Sequence, residues 1–315
     1  MAVRAEPGLR GKVVRGAGAG APRGALRAAR RALGRAMARP HLSVGGLLVG
    51  ALLLAAILAP ALAPAAPDAI APALRLAPPS LAHPFGTDNL GRDLLSRVLY
   101  GARTALLMAG PAVLLGALPG ICLGLLAGYY GGLLDQLLSR VAEAWLAFPG
   151  LLLAVVLVAQ LGPSLGTTVL ALGVVGIPGY FRMTRNGALS ARHALFVEAA
   201  RALGLRDRRI LLRHVLPNLA SPLVVLVTLR LGTVILAGGA LSFIGLGAQP
   251  PTPEWGSILA GGRDSMDRAW WVALFPGLAI TASVMGFNLL GDGLRDALAP
   301  EQRHHHRQSD EGRNQ

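Results

Sequence analysis

The chain has 315 residues, of which 53% are hydrophobic, 15% charged and 5% aromatic, with a formal net charge of +14. A soluble domain carries about a quarter charged residues, so this composition excludes an ordinary soluble protein and points to lipid as solvent for much of the chain. The basic excess lies in tails and short loops between apolar runs, which is the distribution of a topology signal and not of a nucleic-acid-binding face, so no nucleic-acid partner is expected.

In chain order, residues 1–40 hold ten Arg or Lys and few large apolar groups, and are expected to form a basic cytoplasmic segment without fixed structure that touches anionic lipid. A first spanning helix is predicted over His41 to Leu62, since about 20 apolar residues cross a bilayer. Ala59, Ala61 and Ala63 resemble a signal cleavage site, but a 40-residue basic leader is too long for one, and the residues after Arg30-Arg31 fit a twin-arginine signal poorly. The first helix is therefore read as uncleaved.

The stretch His83-Pro84-Phe85-Gly86-Thr87-Asp88-Asn89-Leu90-Gly91-Arg92-Asp93 reads as a turn entering an amphipathic helix on the outer membrane surface. Asp88 or Thr87 can cap it, and Leu90, Leu94, Leu95, Val98 and Leu99 share one face. Caps and surface charges account for His83, Asp88 and Asp93 without catalysis. A second span is predicted from Thr104 to Gly128. There Gly116, Gly120, Gly124 and Gly128 recur every four residues, forming a bare groove for another helix of this subunit or of a partner, and Pro119 is expected to bend it. Cys122, the only cysteine, lies in this run, so neither an intrachain disulfide nor a cysteine metal site can form.

From Ala144 to Phe181 the chain carries no charge for 38 residues, and Gly162-Pro163-Ser164 is predicted to divide this run into a third and a fourth span. Gly162-Pro163-Ser164-Leu165-Gly166 also matches a nucleophile elbow, but that motif needs a strand-to-helix turn, and here it joins two membrane helices. The polar segment Arg182 to Pro217 is too long for a simple turn. Within it Phe196 to Gly204 forms a helix ended by glycine, with a stop expected at Pro217-Asn218. The fifth span runs from Leu219 to Leu241, interrupted only by Arg230, and the sixth from Trp271 to Leu290. His304-His305-His306 in the tail is weak ground for a metal role, and none is assigned.

With both termini in the cytoplasm, 23 of the 30 Arg and Lys lie on that side and six on the other, with Arg230 inside a span. The expected fold is an all-α membrane protein with six transmembrane helices, both termini cytoplasmic, and a cytoplasmic loop between helices four and five. The expected divisions are residues 1–40, a six-helix domain over 41–298, and a cytoplasmic tail over 299–315.

Glu198-Ala199-Ala200, three residues, Gly204, eleven residues, then Leu216-Pro217 resembles the EAA loop of ATP-binding-cassette importer permeases. Arg213-His214-Val215-Leu216-Pro217-Asn218 resembles the dipeptide, oligopeptide and nickel branch, in which His214 stands where other branches have isoleucine. His83 to Arg103, Leu241 to Gly247, Pro250 to Gly256 and Asn288 to Asp296 resemble the same branch.

The resemblance implies a multi-pass permease of the bacterial inner membrane that imports peptides or related small solutes, nickel complexes being the alternative cargo. It also implies a second homologous permease, two cytoplasmic ATP-binding subunits and an external substrate-binding protein. Glu198, Ala199, Ala200, Gly204, Leu205, His214, Leu216 and Pro217 would form the loop coupled to the ATPases. ATP and Mg would reside on those partners. This chain would bind no cofactor and carry no catalytic residue, and it contains no Gly-x-x-x-x-Gly-Lys-Ser/Thr loop.

Two departures from the branch stand out. Gly238 occupies a commonly acidic position, and Arg230 lies mid-span, where it is expected to line the path or meet a partner's acid. A secondary transporter is the rival reading; its intramembrane coupling acids are missing from the predicted spans.

Overall fold

The computed structural model describes residues 40–298, which fall within one compact unit. The expectations for the basic leader and for the tail with His304-His306 lie outside the described residues. Ten α-helices are labelled here: α1 (Pro40–Leu62), α2 (Leu94–Tyr130), α3 (Gly132–Leu146), α4 (Gly150–Leu161), α5 (Leu165–Ala191), α6 (Leu195–Ala202), α7 (Asp207–Ile210), α8 (Leu216–Phe243), α9 (Trp255–Gly262) and α10 (Trp271–Leu298). Among the described residues the only strand-like pairing is an isolated bridge between Thr87 and Asp93.

Five of the rods are long and apolar enough to cross a membrane, and α3 with α4 supplies a sixth crossing only as a pair bent by 86°. The predicted third span is thereby corrected. The break after Leu161 stands where expected, with Gly162 at φ 89° and Ser164 accepting the Thr167 amide at 3.1 Å as N-cap of α5. A second break at Ala147–Pro149 also divides the run, because Pro149 has no N–H to continue the α3 ladder. The 12 residues of α4 rise only about 18 Å, short of a hydrocarbon core of about 30 Å.

The expected surface helix before the second span is also corrected. The helix runs unbroken from Leu94 to Tyr130, with Pro111 and Pro119 inside it each omitting one donor, so both predicted pieces are one 37-residue helix. Asp93, and not Asp88 or Thr87, caps it by accepting the Ser96 amide at 2.8 Å and the Ser96 hydroxyl at 2.7 Å.

The groove of α2 is filled from within this chain. A Cβ on Gly116, Gly120 or Gly124 would stand 2.6–2.8 Å from the carbonyl oxygens of Gly173, Ile177 and Phe181 on α5, and one on Gly128 would meet the oxygen of Arg185. Both rows repeat every four residues, so ridges of one helix seat in the groove of the other. α1 packs on α10 in the same manner, Gly45 against the Leu290 backbone and Gly293 against Leu42. That contact sets Pro40 and Leu298 at the same end of the bundle as the loop between α5 and α8.

The opposite end is capped by residues 63–93 and 244–270. Asp88, 3% exposed, accepts the Leu90 and Arg92 amides at 2.9 and 3.0 Å, holds Arg92 Nε at 2.7 Å and faces Arg97 Nε at 3.5 Å. Arg97 in turn donates to the Pro67 carbonyl at 2.9 Å. His83 Nδ1 meets Asp93 Oδ1 at 2.9 Å. Trp255 and Trp271 donate their indole N–H groups to the Val98 and Thr87 carbonyls at 2.9 and 3.2 Å. The stretches His83 to Arg103 and Pro250 to Gly256 thus meet in one cap, in which His83, Asp88 and Asp93 are all engaged in structural bonds.

Glu254 is 2% exposed and caps α9 by accepting the Ser257 amide at 2.9 Å. Its burial raises the carboxyl pKa above the ordinary value.

Candidate functional site

The loop between α5 and α8 begins with α6, where Glu198 in the first turn and Arg201 in the last complement the helix dipole. Val197 and Ala200 point inward and are buried, so Leu195, Phe196, Ala199 and Leu203 share the outward face. Leu195 and Leu203 are 84% and 80% exposed, leaving a small alanine between two uncovered leucines. Glu198 is exposed beside them.

The helix ends as its glycine predicts. Gly204 takes φ 72° and donates to the Arg201 carbonyl at 2.9 Å, while Leu205 donates to the Ala200 carbonyl at 3.1 Å. This pair of bonds closes the helix with a left-handed residue, and half-buried Leu205 packs back on the cluster that holds Ala200.

Beneath α6, Val197, Ala200, Ile210, Leu211 and Val215 form a cluster with Leu125, Tyr129 and Ala188 from the ends of α2 and α5. Tyr129 donates its hydroxyl to Asp207 at 2.8 Å, and the Arg201 guanidinium lies 5.1 Å from the centre of the Tyr129 ring. These contacts tie α2, α6 and α7 together, and neither Tyr129 nor Asp207 was singled out from sequence. Tyr129 follows the last glycine of the α2 groove, which is the one signal that marks it as facing α5 and the loop.

The stop expected at Pro217-Asn218 is corrected. α7 continues through a π-helical turn, Leu211–Val215, directly into α8, and the whole forms one rod, Asp207–Phe243. Pro217 stands two residues after the end of the π turn, and the rod continues through it. His214 belongs to the π turn and its carbonyl accepts Asn218 Nδ2 at 2.6 Å, whereas Leu216 packs partly buried on the cluster and Pro217 is exposed. Gly204, Leu205, Arg206, Arg208, Arg209, Leu212 and Arg213 surround a recess of about 430 Å³, so a basic rim adjoins the apolar face of α6.

Arg230 lies apart from this loop, fourteen residues along α8 from Leu216, a rise of roughly 20 Å. It is half-buried, sits against Gly179 of α5 and lines a cavity of about 230 Å³ with Tyr180. The structure therefore brings together the loop residues from Glu198 to Pro217 and keeps Arg230 separate from them.

A bundle of apolar rods carrying a stiff polar loop anchored on its own spans is the architecture of a multi-pass transport subunit. The chain belongs to the family of binding-protein-dependent transport system inner membrane components, whose family model matches residues 120–304. It is 45% identical over 230 residues to the dipeptide transport system permease protein DppC of Alkalihalophilus pseudofirmus, a match covering 73% of this chain and 76% of the relative. It is 49% identical over 223 residues to the glutathione transport system permease protein GsiD of Escherichia coli O6:K15:H31, covering 71% and 74%. The same protein of Shigella boydii serotype 4 matches equally. This chain is thus a permease subunit of an ATP-driven importer of the dipeptide and oligopeptide branch, resident in the bacterial inner membrane, and not itself an enzyme. Importers of this family work with ATP-binding and substrate-binding proteins.

Proposed function

We propose that this chain carries peptides, as its dipeptide- and glutathione-transporting relatives do, and that α6 is the element on which an ATP-binding subunit acts. The observation that carries the reading is the mounting of α6. One face is uncovered and apolar with Ala199 at its centre, while the other is locked through Val197, Ala200 and the Tyr129–Asp207 bond to three spans. A push on the exposed face would move α2, α5 and the rod Asp207–Phe243 together, which is a route to alternating access.

In this account both termini face the cytoplasm, the basic loop sides with them, and the cap holding Asp88, Trp255 and Trp271 faces the external binding protein. Two ATP-binding subunits hold ATP and Mg, and a second homologous permease completes the path. The many exposed leucines on the rods face lipid or that second permease. The coupling loop comprises Glu198, Ala199, Ala200, Gly204, Leu205, His214, Leu216 and Pro217: Glu198, Ala199 and Gly204 are uncovered for the ATPase, while Ala200, Leu205 and Leu216 mount the loop on the cluster beneath.

The test is ATP-driven uptake of dialanine and of glutathione by the complete complex in liposomes, comparing wild type with Ala199→Arg. Position 199 is exposed, so the substitution leaves the fold intact. Uptake should fall at least roughly tenfold, the loss of one good buried contact. Uptake equal to wild type, with the variant present in the complex, would refute the role given to α6.

A further inference from the structure

Three observations around the middle of α8 converge on one ligand chemistry. The first is the Arg230 charge itself, which sits about halfway across the bilayer and must face a cavity or a partner. The four helices that line its cavity, α2, α4, α5 and α8, contain no Asp or Glu, and among the described residues its guanidinium makes no hydrogen bond or ion pair.

The second is Tyr180, 1% exposed, whose hydroxyl has no hydrogen-bond partner among the described residues. An unpaired buried hydroxyl is costly and rare. Its ring is pinned: a Cβ on Gly116 or Gly120 would strike Tyr180, so the bare groove of α2 is what lets this ring enter. The third is the cavity that both side chains line. It measures about 230 Å³ and its other walls are Ala112, Val113, Gly176, Val234 and Ala237 among similar small or apolar residues. Thr233 also lines it, but its hydroxyl is already donated to the Leu229 carbonyl at 3.2 Å, so Arg230 and Tyr180 are the lining side chains with unused donors.

A guanidinium and a phenolic O–H, both lacking acceptors, call for an anion with two acceptor oxygens. We propose that Arg230 and Tyr180 form a carboxylate-binding subsite on the transport path, which takes the terminal carboxylate of a peptide in transit. The inference rests on the importer reading above and adds a substrate-contacting site within the membrane. Arg230 supplies the charge and two parallel N–H donors, and Tyr180 supplies a third donor at a position set by the α2–α5 packing. The carboxylate enters and leaves by exchange with water, so the site selects without trapping.

The complete complex in liposomes tests this with four probes: dialanine, glutathione, and the C-terminal amide of each. Selection by the external binding protein is common to every variant, so the change in acid-over-amide uptake ratio between wild type and Arg230→Gln isolates the membrane site. The ratio should fall roughly tenfold or more in Arg230→Gln, by less in Tyr180→Phe, and should survive in Arg230→Lys, with ATPase stimulation by loaded binding protein retained throughout. An unchanged ratio in Arg230→Gln would overturn the subsite while leaving the importer reading intact. Loss of the second permease from the purified Arg230→Gln complex would also overturn it, by showing that the charge pairs with that subunit. If the wild-type complex imports neither peptide with ATP, the peptide reading fails and the subsite with it.

Discussion

Replacing Gly120 with alanine adds a single methyl group at the close α2–α5 interface. That methyl would stand 2.7 Å from both the Ile177 carbonyl oxygen and Tyr180 Cβ, and 3.1 Å from the Phe181 nitrogen. Relief to ordinary contact needs a separation of roughly 0.7 Å between two rods, and close-packed interiors transmit such a shift instead of absorbing it. Gly116, Gly124 and Gly128 press on the same neighbour, so α2 cannot tilt away at one point alone.

Overpacking of this kind costs about 1–3 kcal/mol, which corresponds to a fall on the order of 2–12 °C in Tm for a unit of this size. Gly110→Ala on the same helix is the control, because a Cβ there meets nothing within 4 Å. Both variants would be heated in detergent and the folded fraction read by size-exclusion chromatography. Gly110→Ala should match or slightly exceed wild type, since alanine favours helix. If Gly120→Ala proves as stable as Gly110→Ala, the assignment of the glycine row to packing inside this subunit is wrong.

Asp88→Asn should destabilise the outer cap by about 3–5 kcal/mol, because it leaves the buried Arg97 charge without its partner. Thermal unfolding reads this directly, and adding Arg97→Met should recover part of the loss; equal stability of Asp88→Asn and wild type would contradict the ion cluster. Glu254 gives a pH signature. Its folded pKa is raised, so the stability it allows is fully present below the ordinary carboxyl value and is lost as pH rises through the raised one. Glu254→Gln keeps an acceptor for the Ser257 amide and removes the charge, so its Tm should fall less than that of wild type between pH 5 and 8; identical profiles would contradict the burial argument.

Much of this architecture was legible because its causes are local. Apolar runs of spanning length, the Gly162-Pro163-Ser164 turn and the closure of α6 by Gly204 depend on neighbouring residues alone, and each appears where its chemistry predicts. The failures share a different cause. Pro149 lies in an uncharged run and Pro217 beside a polar one, and the residue type alone does not say which of them a helix passes through: Pro149 breaks a rod, whereas Pro217, just after a π turn, is carried inside one. Asp88 looked like a cap because its partner Arg97, itself bonded to the Pro67 carbonyl, is held against it only after the chain folds back. For the glycine row, spacing announced a neighbour but could not say which helix it was. In the candidate site the residues from Glu198 to Pro217 were readable from their motif, whereas Tyr129, Asp207 and Tyr180 matter through contacts across long stretches of chain.

The most direct test of the account is whether α6 touches an ATP-binding subunit in the working complex. Cys122 is the only cysteine, so replacing it with serine and placing single cysteines at Ala199 on α6 and at Leu133 on α3 gives two exposed probes on one background. A heterobifunctional thiol-to-photoreactive crosslinker of short span, applied to inside-out vesicles of the complete complex, should join residue 199 to an ATP-binding subunit and leave residue 133 unjoined. Crosslinking from Leu133 with none from Ala199 would contradict the central claim that ATP-driven movement enters this chain through α6.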